Sequence, residues 1–281
     1  MIMIEKYHKV SAKCSEITTT GYSTSFSSAI RLLHPDMRQP IYNIYGFVRF
    51  TDEIVDTFHE YDKTSLLVDF KNETYAAITR GISLNPILNS FQKTVNQYNI
   101  DHELINTFFK SMEMDLTPRA YDKENFHEYV YGSAEVVGLM CLYVFCEGKT
   151  ELYEKLKTSA RALGAAFQKV NFLRDIKTDY NCLSRMYFPG CDFNNFTEGD
   201  KRQIESDIHN DFKEAYAGIL KLPMKSRFGV YVAYKYYLSL FKKIKRLEPA
   251  GVLEARIRIP DYKKAMIVLR AGVKNQLGLI G

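Results

Sequence analysis

The apolar positions of this chain recur with the period of a helix almost from end to end. Hydrophobic side chains return every three to four residues from about Gln39 to Phe58, Ile100 to Leu116, Asn125 to Phe145, Glu151 to Asp179, Glu205 to Leu222, Lys225 to Leu247 and Asp261 to Leu277. That spacing puts them on one face of an α-helix. Pro35, Pro86, Pro118, Pro189, Pro223 and Pro260 fall at breaks in the pattern, where a residue without an N–H ends or starts a helix. Alternating apolar and polar runs flanked by Asn-Gly or Asp-Gly turns are missing, so no sheet is expected. The longest irregular stretch is Asn181 to Gly199, and no repeat or Pro/Gly/Ser-rich linker divides the 281 residues. The expectation is one all-α domain over residues 1–281.

Composition changes this picture little. Hydrophobic residues make up 46% and charged residues 25%, the balance of a soluble globular chain. The 20 Tyr and 18 Phe, with no Trp, suit a deep apolar cavity as well as an ordinary core. A net charge of +5 is mild, and no nucleic-acid partner is expected. The five cysteines form no CxxC pair and are expected as free thiols of a reducing compartment. The N-terminus lacks the apolar stretch of a signal peptide, and the run Val136 to Cys146 is too short to span a bilayer. The expected location is the cytoplasm. Clusters such as Lys242 to Arg246 leave peripheral contact with an anionic membrane face open beside the plainer reading of a solvated helix end.

Two stretches break the apolar pattern with chemistry. In "YGFVRFTDEIVDTF" (Tyr45 to Phe58), Asp52 and Asp56 are an i,i+4 pair in a helix otherwise apolar around most of its circumference, with Arg49 three residues earlier on that face. Like charges one turn apart destabilise an isolated helix, so something positive should sit between them. A local ion pair with Arg49 is one answer, and a bound cation is the other. In "FQKVNFLRDIKTDY" (Phe167 to Tyr180), Asn171, Asp175 and Asp179 recur at i, i+4 and i+8, and Gln168 extends the stripe. Oxygen-only donors on two helices, with no His or Cys among them, favour Mg²⁺ over zinc or copper. Mg²⁺ keeps waters and is commonly completed by substrate phosphates, so the pair of stripes points to a diphosphate bridged by metal.

"RFTDEIVD" and "NFLRDIKTDY" resemble the two aspartate-rich motifs of the squalene/phytoene synthases, the head-to-head prenyltransferases. "YSTSFSSAI" (Tyr22 to Ile30), "YGSAEVVG" (Tyr131 to Gly138) and "SRMYFPG" (Ser184 to Gly190) are similar to further elements of that family. Glu53 stands where the family's first motif has its second Asp. The resemblance implies an isoprenoid-synthase helical bundle around a central apolar cavity. It also implies a Mg²⁺-dependent (or Mn²⁺-dependent) condensation of two prenyl diphosphates through a cyclopropylcarbinyl diphosphate. The expected substrate is geranylgeranyl diphosphate and the expected product phytoene, with no NADPH. The alternatives are a C30 dehydrosqualene or squalene synthase using farnesyl diphosphate, an enzyme that stops at the cyclopropyl stage, and a non-catalytic helical scaffold.

On that resemblance, Asp52, Asp56, Asn171, Asp175 and Asp179 would hold metal, and Arg49, Arg174 and Arg185 would clamp diphosphate oxygens. Gln168 would join the substrate site. Ser23 and Ser25 are candidate donors to the same group, or else caps of a helix near Gly21. Tyr45, Tyr131 and Tyr236 would present ring faces to carbocations. Ile30 and Tyr42 are candidates for the cavity floor that limits chain length.

Overall fold

A computed structural model describes residues 2–117, 121–183, 187–191, 196–254 and 256–280, with the side chains of residues 2, 177–183 and 254 excepted. Among the described residues there is no strand, and the structure is all-α. The helices are α1 (Ile2–Tyr22), α2 (Thr24–Ile30), α3 (Pro35–Asp56), α4 (Lys63–Arg80), α5 (Pro86–Tyr98), α6 (His102–Met114), α7 (Lys123–Val130), α8 (Val136–Cys146), α9 (Thr150–Leu183), α10 (Glu198–Ile219), α11 (Met224–Lys245), α12 (Pro249–Glu254) and α13 (Asp261–Gln276). The helices expected from periodicity are all present to within a few residues, apart from α10, which starts seven residues earlier. Helices α1, α4 and α5 lie outside the expected set: α1 buries Ser11, Ser15 and Thr19 rather than an apolar stripe, whereas α4 and α5 do carry one, through Leu67, Phe70, Ala77 and Ile78 and through Ile87, Leu88, Phe91 and Val95.

Local chemistry sets the boundaries. Asn85 caps α5 by accepting from the N–H groups of Ile87 and Leu88, with Pro86 at the first helical position. Asp62 caps α4, which ends at Gly81 with φ 71°, a left-handed conformation that glycine adopts without strain. A reciprocal box between Thr197 and Asp200 opens α10, satisfying N–H groups that a helix start leaves unpaired.

Helix α3 is buried on two sides. On one, Phe47 stacks on Phe91 of α5 with ring centroids 3.9 Å apart and planes 4° from parallel, and Phe70, Phe108 and Phe109 close round it from α4 and α6. Offset and edge-on ring contacts of this kind add to the area term of burial. Against α1 the contact is polar and close. A Cβ on Gly46 would lie 2.8 Å from the Ser15 Oγ, and Gln39 donates to the Ala12 carbonyl at 2.8 Å. Such bonds fix register between helices that lack an apolar seam.

Helices α7 and α8 run on as one rod through a π-helical turn, Tyr131–Glu135. The rod Lys123–Cys146 is thereby 24 residues long, enough by length and composition to cross a bilayer, a span the shorter run Val136 to Cys146 did not suggest. Half of its most apolar window is buried against other helices. It packs on α9 through small residues: a Cβ on Gly164 would fall 2.5 Å from the Ala134 carbonyl oxygen, and one on Gly138 would fall 2.8 Å from that of Ala160. The far side of α9 is pinned to α10 by the buried Lys169, which donates to Asp207 at 2.5 Å and Asp211 at 2.8 Å. Burial alone would depress this lysine, but the two aspartates outweigh it and hold its pKa above the ordinary value. A charge kept on the α10 side turns the opposite face of α9 inward.

The close approach gives a stability test. Gly164→Ala puts a methyl group into backbone that cannot step aside, and overpacking of this kind costs about 1–3 kcal/mol. Gly272→Ala in α13 meets nothing within 4 Å and should stabilise by up to about 1 kcal/mol, since alanine is the better helix former. Melting curves should move in opposite directions for the two variants. A Gly164→Ala protein as stable as the parent would contradict the described packing.

Candidate active site

A cavity of about 780 Å³ lies between α2, α3, the α7–α8 rod, α9, α10 and α11. The α3 side chains that reach it are Ile41, Ile44, Tyr45, Val48, Arg49, Asp52 and Asp56, a single stripe at three- and four-residue intervals. From α9 come Leu156, Ala160, Leu163, Gly164, Phe167, Gln168, Asn171, Arg174 and Asp175, with Ser159 and Phe172 widening the face on either side. Between Leu156 and Asn171 the lining runs roughly 22 Å at 1.5 Å per residue. Its two ends differ. Carboxylates, amides and guanidiniums gather where α3 ends and α9 passes Gln168, while Leu33, Leu142, Phe145, Ile219 and Leu222 line the other end.

Most of the expected site residues meet here. Asp52, Asp56, Gln168, Asn171, Arg174, Asp175, Arg49, Tyr45, Ser23 and Ile30 all line the one cavity. Asp179 sits one turn beyond Asp175 on α9, with its side chain outside the described residues, and Arg185 lies outside them altogether. Ser23 is both lining and cap, since its Oγ accepts from the Phe26 N–H at 3.1 Å.

Four of the expected residues do not line this cavity. Ser25 lies off the lining, two residues on from Ser23 round α2. Tyr42 is buried but faces away; Ile41, 100° round the helix, holds the cavity position instead. Tyr236 likewise points elsewhere and bonds Ser28 at 2.8 Å, while its neighbour Tyr237 lines the cavity. Tyr131 also lies outside the lining and carries the Arg161 guanidinium 4.9 Å above its ring.

Arg49 does not neutralise the Asp52/Asp56 pair in the way one local reading expected. Its guanidinium contacts Glu53, four residues on, and stacks 4.3 Å from the Tyr22 ring centroid. Its Nε is buried and makes no hydrogen bond among the described residues. A buried donor without an acceptor is costly, and an anionic ligand at this end of the cavity would supply one. Asp175 is bracketed by cations: the Arg174 Nε donates to both of its oxygens at 3.0 Å, and the Arg256 Nε lies 2.9 Å away. Arg256 escaped the sequence reading. Its one signal was alternation in "RIRIP", where Ile257 is buried and Arg256 is exposed beside it.

The walls next to these charges are aromatic. Phe26 touches Tyr45, Phe167 and Tyr237 with centroids 5.7–6.0 Å apart. Phe167 and Tyr237 stack at 3.9 Å. The Tyr237 hydroxyl donates to the Asn171 Oδ1 at 3.3 Å. Burial, reinforced by Tyr237 and Asp52, pushes the Tyr45 phenol up to about 12, so it stays neutral at any working pH. Burial does the same to the Cys141 thiol, up to about 12, which leaves it an inert lining group. Ser133, in the π turn, brings into the apolar lining a buried hydroxyl that has no hydrogen bond among the described residues. Such turns recur at functional sites, and nothing in the sequence period marked this one.

Among the described residues no three His, Cys, Asp or Glu side chains converge into a ready-made metal cage. The donors are instead oxygens on separate walls of one cavity, which the half-buried Arg49 also lines. That set fits Mg²⁺, which takes one or two carboxylates and fills its octahedron with water and phosphate oxygens.

Comparison with known proteins agrees with the geometry. A phytoene synthase of Arthrospira platensis is 28% identical, covering 94% of this chain and 93% of its own. The chloroplastic phytoene synthase 1 of Solanum lycopersicum is 29% identical over 86% of this chain, which spans 61% of that longer relative. A dehydrosqualene synthase solved in complex with a ligand superposes with a TM-score of 0.83 over 97% of this chain and 98% of its own, at 18% identity, and shares the fold. The squalene/phytoene synthase pattern itself matches residues 19–263, a span that takes in both acidic stripes and the cavity between them. The chain therefore belongs to the squalene/phytoene synthase family, enzymes of the prenyltransferase type that act on prenyl diphosphates.

Proposed function

We propose that this protein is a phytoene synthase, condensing two molecules of geranylgeranyl diphosphate head to head through a cyclopropylcarbinyl diphosphate. The observation that carries the reading is the polarity of the cavity, with oxygen donors and arginines at one end of a long apolar and aromatic chamber. Relatives named phytoene synthase support the C20 substrate over C15.

Asp52, Asp56, Asn171, Asp175 and Asp179 would hold the metal. The charge neutralisation a departing diphosphate needs is what Mg²⁺ supplies when bound, and Mn²⁺ would serve likewise. Arg49 and Arg174 offer planar forks to diphosphate oxygens, and Gln168 an amide N–H. Loss of the diphosphate leaves an allylic cation, which the faces of Phe26, Tyr45, Phe167 and Tyr237 stabilise. The apolar walls keep water from quenching it. The cation alkylates the double bond of the second molecule and, after proton loss, a cyclopropane closes. A second ionisation, rearrangement and proton loss give the linear C40 triene core without a reductant, so no NADPH is expected.

Purified protein with Mg²⁺ should make phytoene from the C20 diphosphate without NADPH. Only C30 hydrocarbon from the C15 diphosphate, a released cyclopropyl diphosphate, or no product at all would each overturn the reading. Asp52→Asn and Asp175→Asn remove a negative ligand at nearly constant volume. Each should cut kcat by about 100-fold or more with an unchanged melting curve. Near-normal turnover at saturating Mg²⁺ would refute the assignment.

The cavity lining makes a second prediction. Ile30→Phe should fill space needed by the longer tail, at a cost of about 1–3 kcal/mol, and shift preference roughly 10- to 100-fold toward C15. Tyr42→Phe, off the lining, should leave the C20-to-C15 product ratio unchanged. Equal losses with both substrates in the Ile30 variant would make it plain core.

A further inference from the structure

Helix α13 carries two apolar faces where a surface helix needs one. Ala271 is buried, and Ile267 and Val268 pack against the core beside it. On the opposite side Tyr262, Met266, Leu269 and Val273 follow one another at four- and three-residue spacing, continued by Leu277 just past the helix end. These five are 62%, 43%, 70%, 50% and 66% exposed. At 3.6 residues per turn they occupy an outward stripe about 80° wide. Lone exposed hydrophobes are ordinary, but an aligned row is not.

The charge beside the stripe says what covers it. Lys263, Arg270 and Lys274 run along one flank. Helix α11, on which α13 packs, contributes Lys235, Lys242 and Lys243 and has no acidic residue, its Lys245 being paired with Glu205 of α10 at 3.7 Å. Asp261 is the single acid of α13, and it is paired with Lys264 at 3.1 Å. Burial and the neighbouring cations Lys274 and Lys242 depress the pKa of Lys235, a sign of crowded positive potential on this face. An apolar row bordered by unbalanced cations complements the headgroup and acyl boundary of an anionic bilayer. A second copy of the chain would bring the same positive charge and be repelled. The root of the helix also lies beside the cavity: Lys264 donates to the Thr24 hydroxyl at 2.6 Å, next to Ser23 of the lining, and Arg256 of the segment leading into α13 lines the cavity as well.

We propose that the outer face of α13 is a membrane-docking surface that lays the protein on anionic lipid, with the stripe of Tyr262, Met266, Leu269, Val273 and Leu277 in the interface and Lys263, Arg270 and Lys274 on the headgroups. This brings the cavity to the phase in which long prenyl chains and hydrocarbon products reside.

The test is co-sedimentation of the full chain with vesicles of phosphatidylcholine alone or mixed with phosphatidylglycerol. Wild-type protein should bind the mixed vesicles at least tenfold more tightly, and lose that advantage between about 0.1 and 1 M salt as screening sets in. The double substitution Leu269→Ser, Val273→Ser should weaken binding about tenfold or more. Lys263→Glu, Arg270→Glu, Lys274→Glu should erase the preference for anionic lipid. Melting curves of these exposed-site variants should match the parent. Equal binding of the wild type to both vesicle types would overturn the proposal without reference to any variant. So would variants that bind as the parent does, or a lipid-free dimer in sedimentation velocity that the Ser variant abolishes.

Discussion

The stacking of Phe47 on Phe91 fixes how α3 is rotated, and the places of Arg49, Asp52 and Asp56 at the cavity follow from that rotation. Once Phe47 is locked into the phenylalanine cluster, Val48, Asp52 and Asp56 lie roughly 100–180° round the helix at 3.6 residues per turn. They cannot avoid the cavity side. The same helix thus anchors itself by dispersion and ring contact on one face and presents carboxylates on the other. Lys169 does the equivalent for α9, holding one face to α10 so that Gln168, Asn171 and Asp175 turn inward.

The two acidic stripes, the all-α class and the approximate extents of α3, α6, the α7–α8 rod, α9, α11 and α13 could be read from the sequence because they depend on intervals along a single helix. A period fixes which residues share a face. It does not say which way the face points, and the differences between reading and structure fall there. Tyr42 and Tyr236 are each one residue, or 100°, away from the positions that line the cavity, held by Ile41 and Tyr237. Arg49 was grouped with Asp52 and Asp56 by face, yet its fork reaches Glu53, whose longer side chain meets it at four-residue spacing. Arg256 and Ser133 were invisible for different reasons. One arrives from the far end of the chain, and the other is turned inward by a π turn that breaks the 3.6-residue count.

Among the described residues, the charged groups at the polar end of the cavity are already paired with one another in part. Asp175 already faces Arg174 and Arg256, and Arg49 faces Glu53. A dication entering alone would have to compete with two guanidiniums for Asp175, and a diphosphate entering alone would meet the carboxylates of Asp52 and Asp56. Entering together they nearly cancel, and each ion gives the other's displaced partners somewhere to go: guanidiniums to diphosphate oxygens, carboxylates to metal. Charge balance therefore couples the two binding events, a reciprocal free-energy linkage.

Calorimetric titration with geranylgeranyl thiodiphosphate, a non-ionising mimic of the substrate, tests this coupling directly. The account predicts affinity at least about 100-fold higher with Mg²⁺ than with a chelator, the upper range of ordinary coupling energies, and only weak binding of Mg²⁺ without the diphosphate. Equal affinity with and without Mg²⁺, or tight binding of Mg²⁺ alone, would contradict it.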